Sequence, residues 1–250
     1  MKIIKTINKL NKEVNFKANL GFVPTMGSLH KGHISIIESS KKICNKTLVS
    51  IFINPSQFNK KADYNKYPRN LIKDLGILRK LNVDYVFVPK KKDIFKSNKS
   101  MKININYKDK ILCAKYRNGH FEGVLGVINQ FLKIIKSKYI FLGEKDFQQI
   151  YLISKFIKKK FKTKVITVKT VRTKNFLAYS SRNFLLNKKD LKLASLIAKK
   201  MRKFYFVIRK NFKNINKIEE TKNDIEKMGV RIEYLEIRNK NNLSKKINKL

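Results

Sequence analysis

VPTMGSLHKGH, residues 23–33, decides the fold. The short apolar run that precedes it, residues 20–23, predicts a strand that ends at Pro24, and isoleucines recur after it at spacings compatible with a helix. The turn between strand and helix contains glycine and two histidines, His30 and His33. A strand, a Gly-containing turn and a helix form the first unit of a Rossmann-like parallel sheet.

The same alternation of patterns continues towards the C-terminus. Apolar runs predict strands at residues 47–53, 85–88, 139–142 and 165–170, and helical spacing predicts helices at 68–81, 124–135 and 150–157. A Lys- and Asn-rich stretch, residues 90–110, predicts loops and an edge strand at 103–107 (ININY). We therefore expect an α/β fold, with a Rossmann-like nucleotide-binding domain over residues 1–170.

Residues 171–250 predict a second, smaller α+β domain that acts as a lid. A loop at 173–183 precedes helices at 188–206 and 218–227, and alternating apolar residues at 231–237 (RIEYLEI) predict a strand. The tail KNNLSKKINKL is polar and short, so this C-terminal domain is expected to be reduced.

Composition excludes several classes of protein. The chain of 250 residues has room for one large domain or two modest ones, and no apolar run approaches the roughly 18 residues of a membrane span. The start, MKIIKTINKL, lacks the apolar region of a secretory signal, so we expect a cytoplasmic protein without membrane contact. Cys44 and Cys113 are isolated and lack metal-ligand spacing, which favours free thiols over a disulfide framework or a zinc site.

A formal net charge of +42 suggests a nucleic-acid partner at first sight. However, the lysines are spread through every segment, without an RGG tract, a basic tail or a basic stripe interleaved with aromatic residues. They accompany a general excess of Ile, Asn and Phe, as expected from AT-rich coding bias. We therefore expect nonspecific attraction to RNA at low salt but no specific nucleic-acid partner.

The HxGH element supplies the strongest chemical signal. In an α/β sheet the ligand crevice lies beyond the carboxyl ends of the strands, where a helix N-terminus attracts phosphates. His30 and His33, separated by Gly32, are expected to donate hydrogen bonds there to an α-phosphate and its leaving pyrophosphate. A structural role for one histidine is the plainer alternative. Two of only three histidines share this turn, which favours function.

Six segments together narrow the interpretation. They are VPTMGSLHKGH (23–33), VSIFINPSQF (49–58), YPR (67–69), GHFEGV (119–124), FLGEKDFQQ (141–149) and SSRN (180–183). In their order and spacing they resemble the pantothenate synthetase family over roughly residues 1–185, and the resemblance fades beyond. HxGH alone also marks other adenylyltransferases and class I synthetases.

The resemblance implies a Rossmann-like ligase that joins (R)-pantoate to β-alanine through a pantoyl adenylate. ATP is consumed, AMP and pyrophosphate are released, and the product pantothenate is a coenzyme A precursor. Mg²⁺ is implied with ATP. The family also implies a homodimer. Its expected binding partners are the small-molecule substrates pantoate, β-alanine and ATP.

The resemblance implies a nucleotide site formed by several segments. Its residues are Met26, Gly27, Ser28, Leu29, His30, Lys31, Gly32, His33, Gly143, Glu144, Lys145, Asp146, Val171, Tyr179, Ser180, Ser181 and Arg182. His33 is the expected catalytic donor, assisted by His30 and Lys145. Ser180 to Arg182 match a loop that holds the leaving phosphates, and Val171 matches a backbone contact to adenine.

For pantoate, Gln57 and Gln149 match two family glutamines that hold its hydroxyls and carboxylate. Neutral amides both donate and accept, and they do not neutralise the carboxylate nucleophile. Asp74 matches an acidic position associated with magnesium.

Four further residues, in or next to these motifs, carry weaker expectations. Asn54 and Pro55 are expected to shape the turn that follows a buried strand. Arg117 and His120 match residues that lie near the family's pocket, and direct contact with substrate is the less favoured interpretation for them.

The chain departs from the family pattern outside these motifs. Asn175 and Phe176 stand where the family commonly has Asp-Gly, so a flexible turn is expected to be lost. Gly126 and Gln130 replace Thr and Lys, and Lys73 replaces an acid before Asp74. These changes lie outside the nucleotide and pantoate motifs, so we expect a functional enzyme.

Two alternatives remain open from sequence alone. An adenylyltransferase of another pathway would share HxGH but has no reason to combine GEKDFQQ with NPSQF. A nonenzymatic RNA-binding protein would explain the charge but would leave all six matching segments to chance. The absence of a KMSKS segment disfavours a tRNA synthetase.

Overall fold

A parallel sheet is formed by strands between residues 2 and 168. The computed structural model describes residues 1–95 and 103–246, and within them the sheet has six strands: β1 (Lys2–Ile4), β2 (Leu20–Thr25), β3 (Lys46–Ile51), β4 (Tyr85–Phe87), β5 (Tyr139–Gly143) and β6 (Lys164–Val168). Their order is β1-β4-β3-β2-β5-β6, and each pairing is parallel. The predicted α/β fold is confirmed.

Helices connect the strands. The described residues contain α1 (Ile7–Glu13), α2 (Lys31–Ile43), α3 (Lys61–Lys66), α4 (Leu71–Lys80), α5 (Lys91–Ile94), α6 (Cys113–Tyr116), α7 (His120–Ile134), α8 (Phe147–Lys160), α9 (Lys188–Lys210) and α10 (Ile218–Glu226). The predicted helices are confirmed, although α4 begins three residues after Pro68. Asn70 caps it by accepting a hydrogen bond from the Lys73 N–H (2.9 Å).

Successive strand residues point to opposite faces of the sheet, and each face is covered by helices. Phe22 of β2 packs into a core with residues of α7 and α8, whereas its neighbour Val23 packs into a second core with Ile37 of α2 and Leu78 of α4. Phe22, Ile37 and Leu78 are fully buried. Because both faces of the sheet are buried, the central strands have continuous apolar sequences without polar alternation.

The strand order reverses between β2 and β5. The chain proceeds from β2 to β3 and β4 on one side, and then crosses to β5 and β6 on the other. Such a reversal opens a crevice at the carboxyl ends of the two central strands. The segment after β2 carries HxGH and the segment after β5 carries GEKD, so both motifs lie at this crevice.

Three strand predictions differ from the structure. β2 continues through Pro24 to Thr25. Because β5 pairs only with Gly21 and Phe22, Pro24 has a neighbouring strand, β3, on one side only. A proline, which lacks an N–H group, is tolerated at such a one-sided position. The strands predicted at 103–107 and 231–237 are wrong, because both segments are irregular. The isoleucines of the first pack against the core without strand pairing.

The N-terminal strand β1 was not predicted from the sequence. It has only three residues within MKIIKTINKL, and these pair with β4 at one edge of the sheet. A run this short offers little periodicity, so the partner strand rather than local pattern determines its structure.

Two compact units can be distinguished by their internal contacts. The first contains Met1–Val171 and Tyr179–Arg182, and the second contains Arg172–Ala178 and Asn183–Leu250. The second unit contains α9 and α10. None of the helices in the described parts of the chain has the length and apolar character needed to span a membrane.

The turn at Asn175 and Phe176 is formed in spite of the missing glycine. Phe176 has a φ of 66°, in the left-handed region that favours glycine. Its ring lies under the Arg202 guanidinium, 3.8 Å from centroid to Cζ, and its N–H donates to the Thr173 carbonyl (2.9 Å). A turn is therefore present here, and side-chain packing accompanies its strained backbone; the loss of flexibility stays a prediction.

Candidate active site

The loop after β2 is held by its own backbone and by one carboxylate. Gly27 and Ser28 both have positive φ values, 76° and 51°. Asp74 of α4 accepts hydrogen bonds from the N–H groups of Ser28 and Leu29, each at 2.8 Å. The Gly27 N–H donates to Thr25 Oγ1 (3.2 Å). These backbone donors are thus engaged within the protein and are not free for a phosphate.

The surroundings of Asp74 differ from those expected of a magnesium ligand. Its side chain is 2% exposed, and both of its oxygens accept backbone hydrogen bonds. Burial raises the pKa of this carboxyl, in opposition to the two N–H groups and to Lys73. We assign Asp74 to holding the loop after β2. Within the described residues, no three His, Cys, Asp or Glu side chains are grouped to hold a metal ion.

The two histidines cap the helix that follows. His30 is the N-cap of α2, and its Nδ1 accepts from the Gly32 N–H (3.1 Å). His33 Nδ1 accepts in turn from the His30 N–H (3.3 Å). A neutral imidazole that accepts through Nδ1 carries its proton on Nε2. The two rings therefore accept hydrogen bonds from backbone N–H groups to which a phosphate could otherwise bind. In exchange, each ring presents its own Nε2–H group as a donor.

Both rings are neutral at physiological pH. They stack with 4.0 Å between centroids and 27° between planes. Burial lowers the pKa of His30 to about 4 and that of His33 to about 3. Part of this lowering comes from the Lys145 ammonium, which acts on both rings, and from His30, which acts on His33. Lys145, from the loop after β5, therefore lies close enough to both histidines for its positive charge to disfavour their protonation.

The segment after β5 forms a short 3₁₀ turn, Glu144–Asp146, ahead of α8. Lys145 Nζ pairs with Asp146 Oδ1 (3.1 Å), and both side chains are partly exposed. Gln148, the next polar side chain, is buried and fastens the chain before α6: its Nε2 donates to the carbonyls of Asp109 (3.0 Å) and Ile111 (2.7 Å). Gln148 is thus structural, whereas the neighbouring Gln149 lines the cavity described below.

The SSR loop returns to the same place. Ser181 Oγ donates to the Ser28 carbonyl (3.0 Å), which joins this loop to the loop after β2. The ring of Tyr179 lies parallel to that of His30, with 6.3 Å between centroids. Arg182 forms a bidentate pair with Asp63, a residue that the sequence motifs did not indicate.

A turn after β3 presents Gln57, and α7 holds that turn from beneath. Asn54 is 1% exposed, accepts from the Ser56 N–H (3.1 Å) and donates to the Gly123 carbonyl (3.0 Å). His120 Nδ1 donates to the Gln57 carbonyl (2.6 Å). A Cβ on Gly123 would lie 2.3 Å from the Ser56 carbonyl oxygen, so only glycine permits this approach. Asn54 therefore belongs to the scaffold, in line with its predicted role.

Burial lowers the pKa of His120, so this ring is also biased towards the neutral form. Since its Nδ1 donates to a carbonyl, the lone pair of the neutral ring is on Nε2. Its tautomer is the opposite of that of His30 and His33.

A cavity of about 230 Å³ brings the predicted residues together. Those that line it are Met26, His30, Gly32, His33, Gln57, Gly143, Lys145, Asp146, Gln149, Val171, Tyr179, Ser180, Ser181 and Arg182, together with Arg117 and His120. Its apolar lining includes Phe52, Val124, Val127, Ile128, Phe131, Phe141 and Leu142. Gly27, Ser28, Leu29, Lys31, Glu144 and Asp74 do not line it. Every lining residue belongs to the first compact unit.

Such a cavity suits a small ligand with an apolar part and an anionic part. The apolar side chains of β5 and α7 line the same cavity as amide and basic side chains, and the Nε2–H groups of the two neutral histidines are suited to donate to oxygen atoms of a ligand. Which ligand atoms each residue touches stays a prediction.

Comparison with known proteins identifies relatives along most of the chain. A family model described as pantoate-beta-alanine ligase matches residues 2–250. A pantothenate synthetase of Francisella philomiragia is 40% identical over 237 residues, which are 94% of this chain and 87% of that protein. A second, from Francisella tularensis subsp. mediasiatica, is 39% identical over 93% of this chain and 87% of its own length.

Solved structures show the same relationship. The pantoate-beta-alanine ligase of Francisella tularensis, solved with beta-gamma ATP and beta-alanine, superimposes with a TM-score of 0.87 at 37% identity, covering 96% of this chain and 90% of that one. The pantothenate synthetase of Thermus thermophilus gives a TM-score of 0.86 at 28% identity, covering 97% of this chain and 89% of its own.

Proposed function

The chain belongs to the pantoate–β-alanine ligase family, and we propose that its cavity carries out the ATP-dependent ligation of pantoate to β-alanine in two half-reactions. The observation that carries this proposal is the meeting of three motifs in one cavity: the HxGH histidines, Lys145 of GEKD and the two glutamines Gln57 and Gln149. The family match spans the chain, and the Francisella tularensis relative was solved with a form of ATP and with β-alanine.

The nucleotide occupies the polar side of the cavity. His30 and His33 donate through Nε2–H to the α-phosphate region, while Lys145 and Arg182 supply positive charge. The backbone of Val171 borders the adenine. Magnesium arrives with ATP as part of the substrate, because this ion is commonly held by phosphates and water with few protein ligands.

Pantoate occupies the apolar side. Its two methyl groups pack against side chains such as Val124 and Phe131, and its hydroxyls and carboxylate bond to Gln57 and Gln149. The NPSQ turn fixes Gln57 through Asn54, Gly123 and His120, so the amide is placed before substrate arrives.

In the first half-reaction a pantoate carboxylate oxygen attacks the α-phosphorus of ATP, and the bond to pyrophosphate breaks. Negative charge grows on the α-phosphate oxygens and on the leaving group. Neutral Nε2–H donors in a buried setting stabilise that charge without giving up a proton. Both hydrogen bonds strengthen as negative charge develops, because a charged oxygen is a better acceptor for an Nε2–H group than a neutral one.

In the second half-reaction the uncharged amine of β-alanine attacks the acyl carbon of pantoyl adenylate. The carbon–nitrogen bond of pantothenate forms, AMP leaves with the electron pair of the broken acyl–oxygen bond, and the nitrogen loses one proton. No covalent bond to the protein is required, and the buried setting protects the mixed anhydride from water.

A homodimer and a cytoplasmic location complete the proposal. The location follows from ATP as the substrate, and the homodimer follows from the family resemblance alone. Light scattering coupled to size exclusion tests the second point: a mass of twice 29.4 kDa supports the dimer, and a mass of one chain contradicts it.

The decisive experiment measures pyrophosphate release from MgATP with pantoate present and β-alanine absent. The wild type is expected to give a pantoate-dependent burst, since adenylation precedes amine attack. No release from a folded wild type under any condition would overturn the proposed function.

Two variants of His33 sharpen this test. His33→Asn keeps an acceptor near the position of Nδ1 for the helix cap but removes the Nε2 donor, and it is expected to lower the adenylation rate by about 10²- to 10³-fold. His33→Gln restores a donor near the position of Nε2, and it is expected to retain more activity than Asn. Equal activity of Asn and wild type would contradict the donor role.

A further inference from the structure

Asp63 lies outside every motif that suggested the site, yet it holds one of the site's charged groups. It is on α3, and its carboxylate accepts two parallel hydrogen bonds from Arg182: Nε to Oδ1 at 3.1 Å and Nη2 to Oδ2 at 2.7 Å. The side chains of Arg182 and Asp63 are 46% and 37% exposed. Most exposed ion pairs contribute little to stability, but a bidentate pair also fixes the plane of the guanidinium.

Further contacts fix the same guanidinium. Tyr67, 5% exposed, places its ring beneath it, with 5.5 Å between the centroid and Cζ. The Arg182 N–H donates to Ser180 Oγ (3.3 Å), and Ser181 Oγ donates to the Ser28 carbonyl (3.0 Å). Both the backbone and the side chain of Arg182 are therefore held in place without a ligand.

The pair leaves Arg182 able to bind an anion. A guanidinium has five N–H groups, and Asp63 uses two of them, so three remain for other acceptors. The hydrogen bond and charge of Arg182 lower the pKa of Asp63, and Asp63 raises that of Arg182, so both groups stay charged at neutral pH.

We propose that Asp63 is a positioning residue for the adenylation step: it holds the Arg182 guanidinium in the orientation in which its three remaining N–H groups meet the phosphates of ATP as pyrophosphate leaves. This inference rests on the proposed function. Asp63 acts through Arg182 and does not touch the substrate. The pair persists when ATP is bound, and the carboxylate is not exchanged for a phosphate.

The first test replaces the carboxylate by an amide of the same shape, Asp63→Asn. With β-alanine added so that the enzyme turns over, kcat for pyrophosphate release is expected to fall about tenfold while KM for MgATP changes less than about threefold, because the positive charge remains and only its orientation is lost. Asp63→Glu restores a carboxylate and is expected to recover part of kcat. Asp224→Asn, which removes the Lys200 pair in the second unit, is the matched control and should keep wild-type kcat and KM.

The second test is a double-mutant cycle with Arg182→Lys, which keeps the charge but loses the fork. If Asp63 acts through the guanidinium, Asp63→Asn has no further effect on kcat when it is combined with Arg182→Lys. Independent, multiplied losses would show that Asp63 acts elsewhere and would overturn the inference. So would a higher kcat or a lower KM in Asp63→Asn, since these would show that the carboxylate competes with ATP.

The controls separate this inference from the function on which it rests. A wild type with pantoate-dependent release and an unaffected Asp63→Asn leaves the function standing and overturns the inference alone. A wild type without release overturns both. Thermal unfolding of each variant is measured in parallel, and a kcat loss that only follows a lower melting temperature would assign Asp63 to folding instead.

Discussion

The histidines of the HxGH turn receive their tautomer from the backbone. His30 and His33 accept N–H hydrogen bonds through Nδ1, so Nε2 carries the proton in each neutral ring. Sequence alone placed both residues at a phosphate crevice. It did not indicate that the two rings would accept the backbone N–H groups at the start of α2, in place of a phosphate, because those hydrogen bonds depend on ring orientation.

Neither histidine is expected to titrate near its ordinary pKa of 6.5. With pKa values of about 4 for His30 and about 3 for His33, the folded protein binds fewer protons than the unfolded chain between those values and 6.5. Their contribution to the free energy of unfolding is therefore complete above pH 6.5 and is lost as pH falls towards 3. Ring ¹H–¹⁵N spectra recorded from about pH 8 to about pH 5 check this. Titration of either ring near 6.5 would contradict it.

Asp74→Asn separates a structural role from metal binding. The amide nitrogen cannot accept the N–H of Ser28 or Leu29, so the variant is expected to lose about 1–3 kcal/mol of unfolding free energy without any nucleotide or magnesium present. Chemical denaturation measures the loss, and KM for MgATP is expected to rise as the loop loosens. Normal stability combined with a higher magnesium requirement would assign Asp74 to the metal instead.

At the scale of elements, α7 and the turn after β3 behave as one part. The contact point is Gly123, where an added Cβ would meet Ser56 O at 2.3 Å and Gln57 N at 2.9 Å. Gly123→Ala is expected to displace Gln57 and to raise KM for pantoate about tenfold, with less effect on KM for ATP. Steady-state kinetics with each substrate varied in turn tests this.

Gly76→Ala is the matched control for that substitution. Gly76 also lies inside a helix, α4, but an added Cβ there would meet no atom within 4 Å. This variant is expected to gain about 0.5–1 kcal/mol of stability from the lower backbone entropy of alanine and to keep both KM values. A similar KM change in both variants would mean that helix propensity, not the contact at Ser56, controls Gln57.

The elements that were predicted correctly are those with strong local patterns. The continuous apolar runs of β3 and β5 and the helical spacing of α7 reflect burial that each segment achieves on its own face. The alternation of apolar residues gave a wrong prediction at residues 231–237. This segment has the period of a strand, but no strand lies beside it in the described chain. A strand needs a partner, and the partner is not encoded locally.

The candidate site divides in the same way. Residues in contiguous motifs, such as His33 and Lys145, were found because spacing and strand ends place them at one crevice. Asp63 and the loop-holding role of Asp74 were not found, because their partners are 119 and about 46 residues away along the chain. Long-range pairs of this kind become visible only when the fold is known.

At the scale of the whole molecule, the charge of +42 should act on substrates before they bind. A positive field attracts the anions ATP and pantoate, and salt screens it. Raising the salt concentration from about 50 to about 300 mM is expected to increase KM for MgATP about threefold at unchanged kcat. An uncharged osmolyte at equal osmolality serves as the control. A salt-independent KM would show that the charge has no role in substrate capture.

The stacked histidines also set a rule for inhibitors. Two uncharged rings with 4.0 Å between centroids, each with an Nε2–H, favour a molecule that presents two acceptors side by side and disfavour one that presents donors. Since neither ring is charged before an anion arrives, an acceptor pair without formal charge satisfies both hydrogens. Sulfonyl-type groups in place of phosphate would therefore be the first compounds to make, and they would carry no charge to hinder entry into cells.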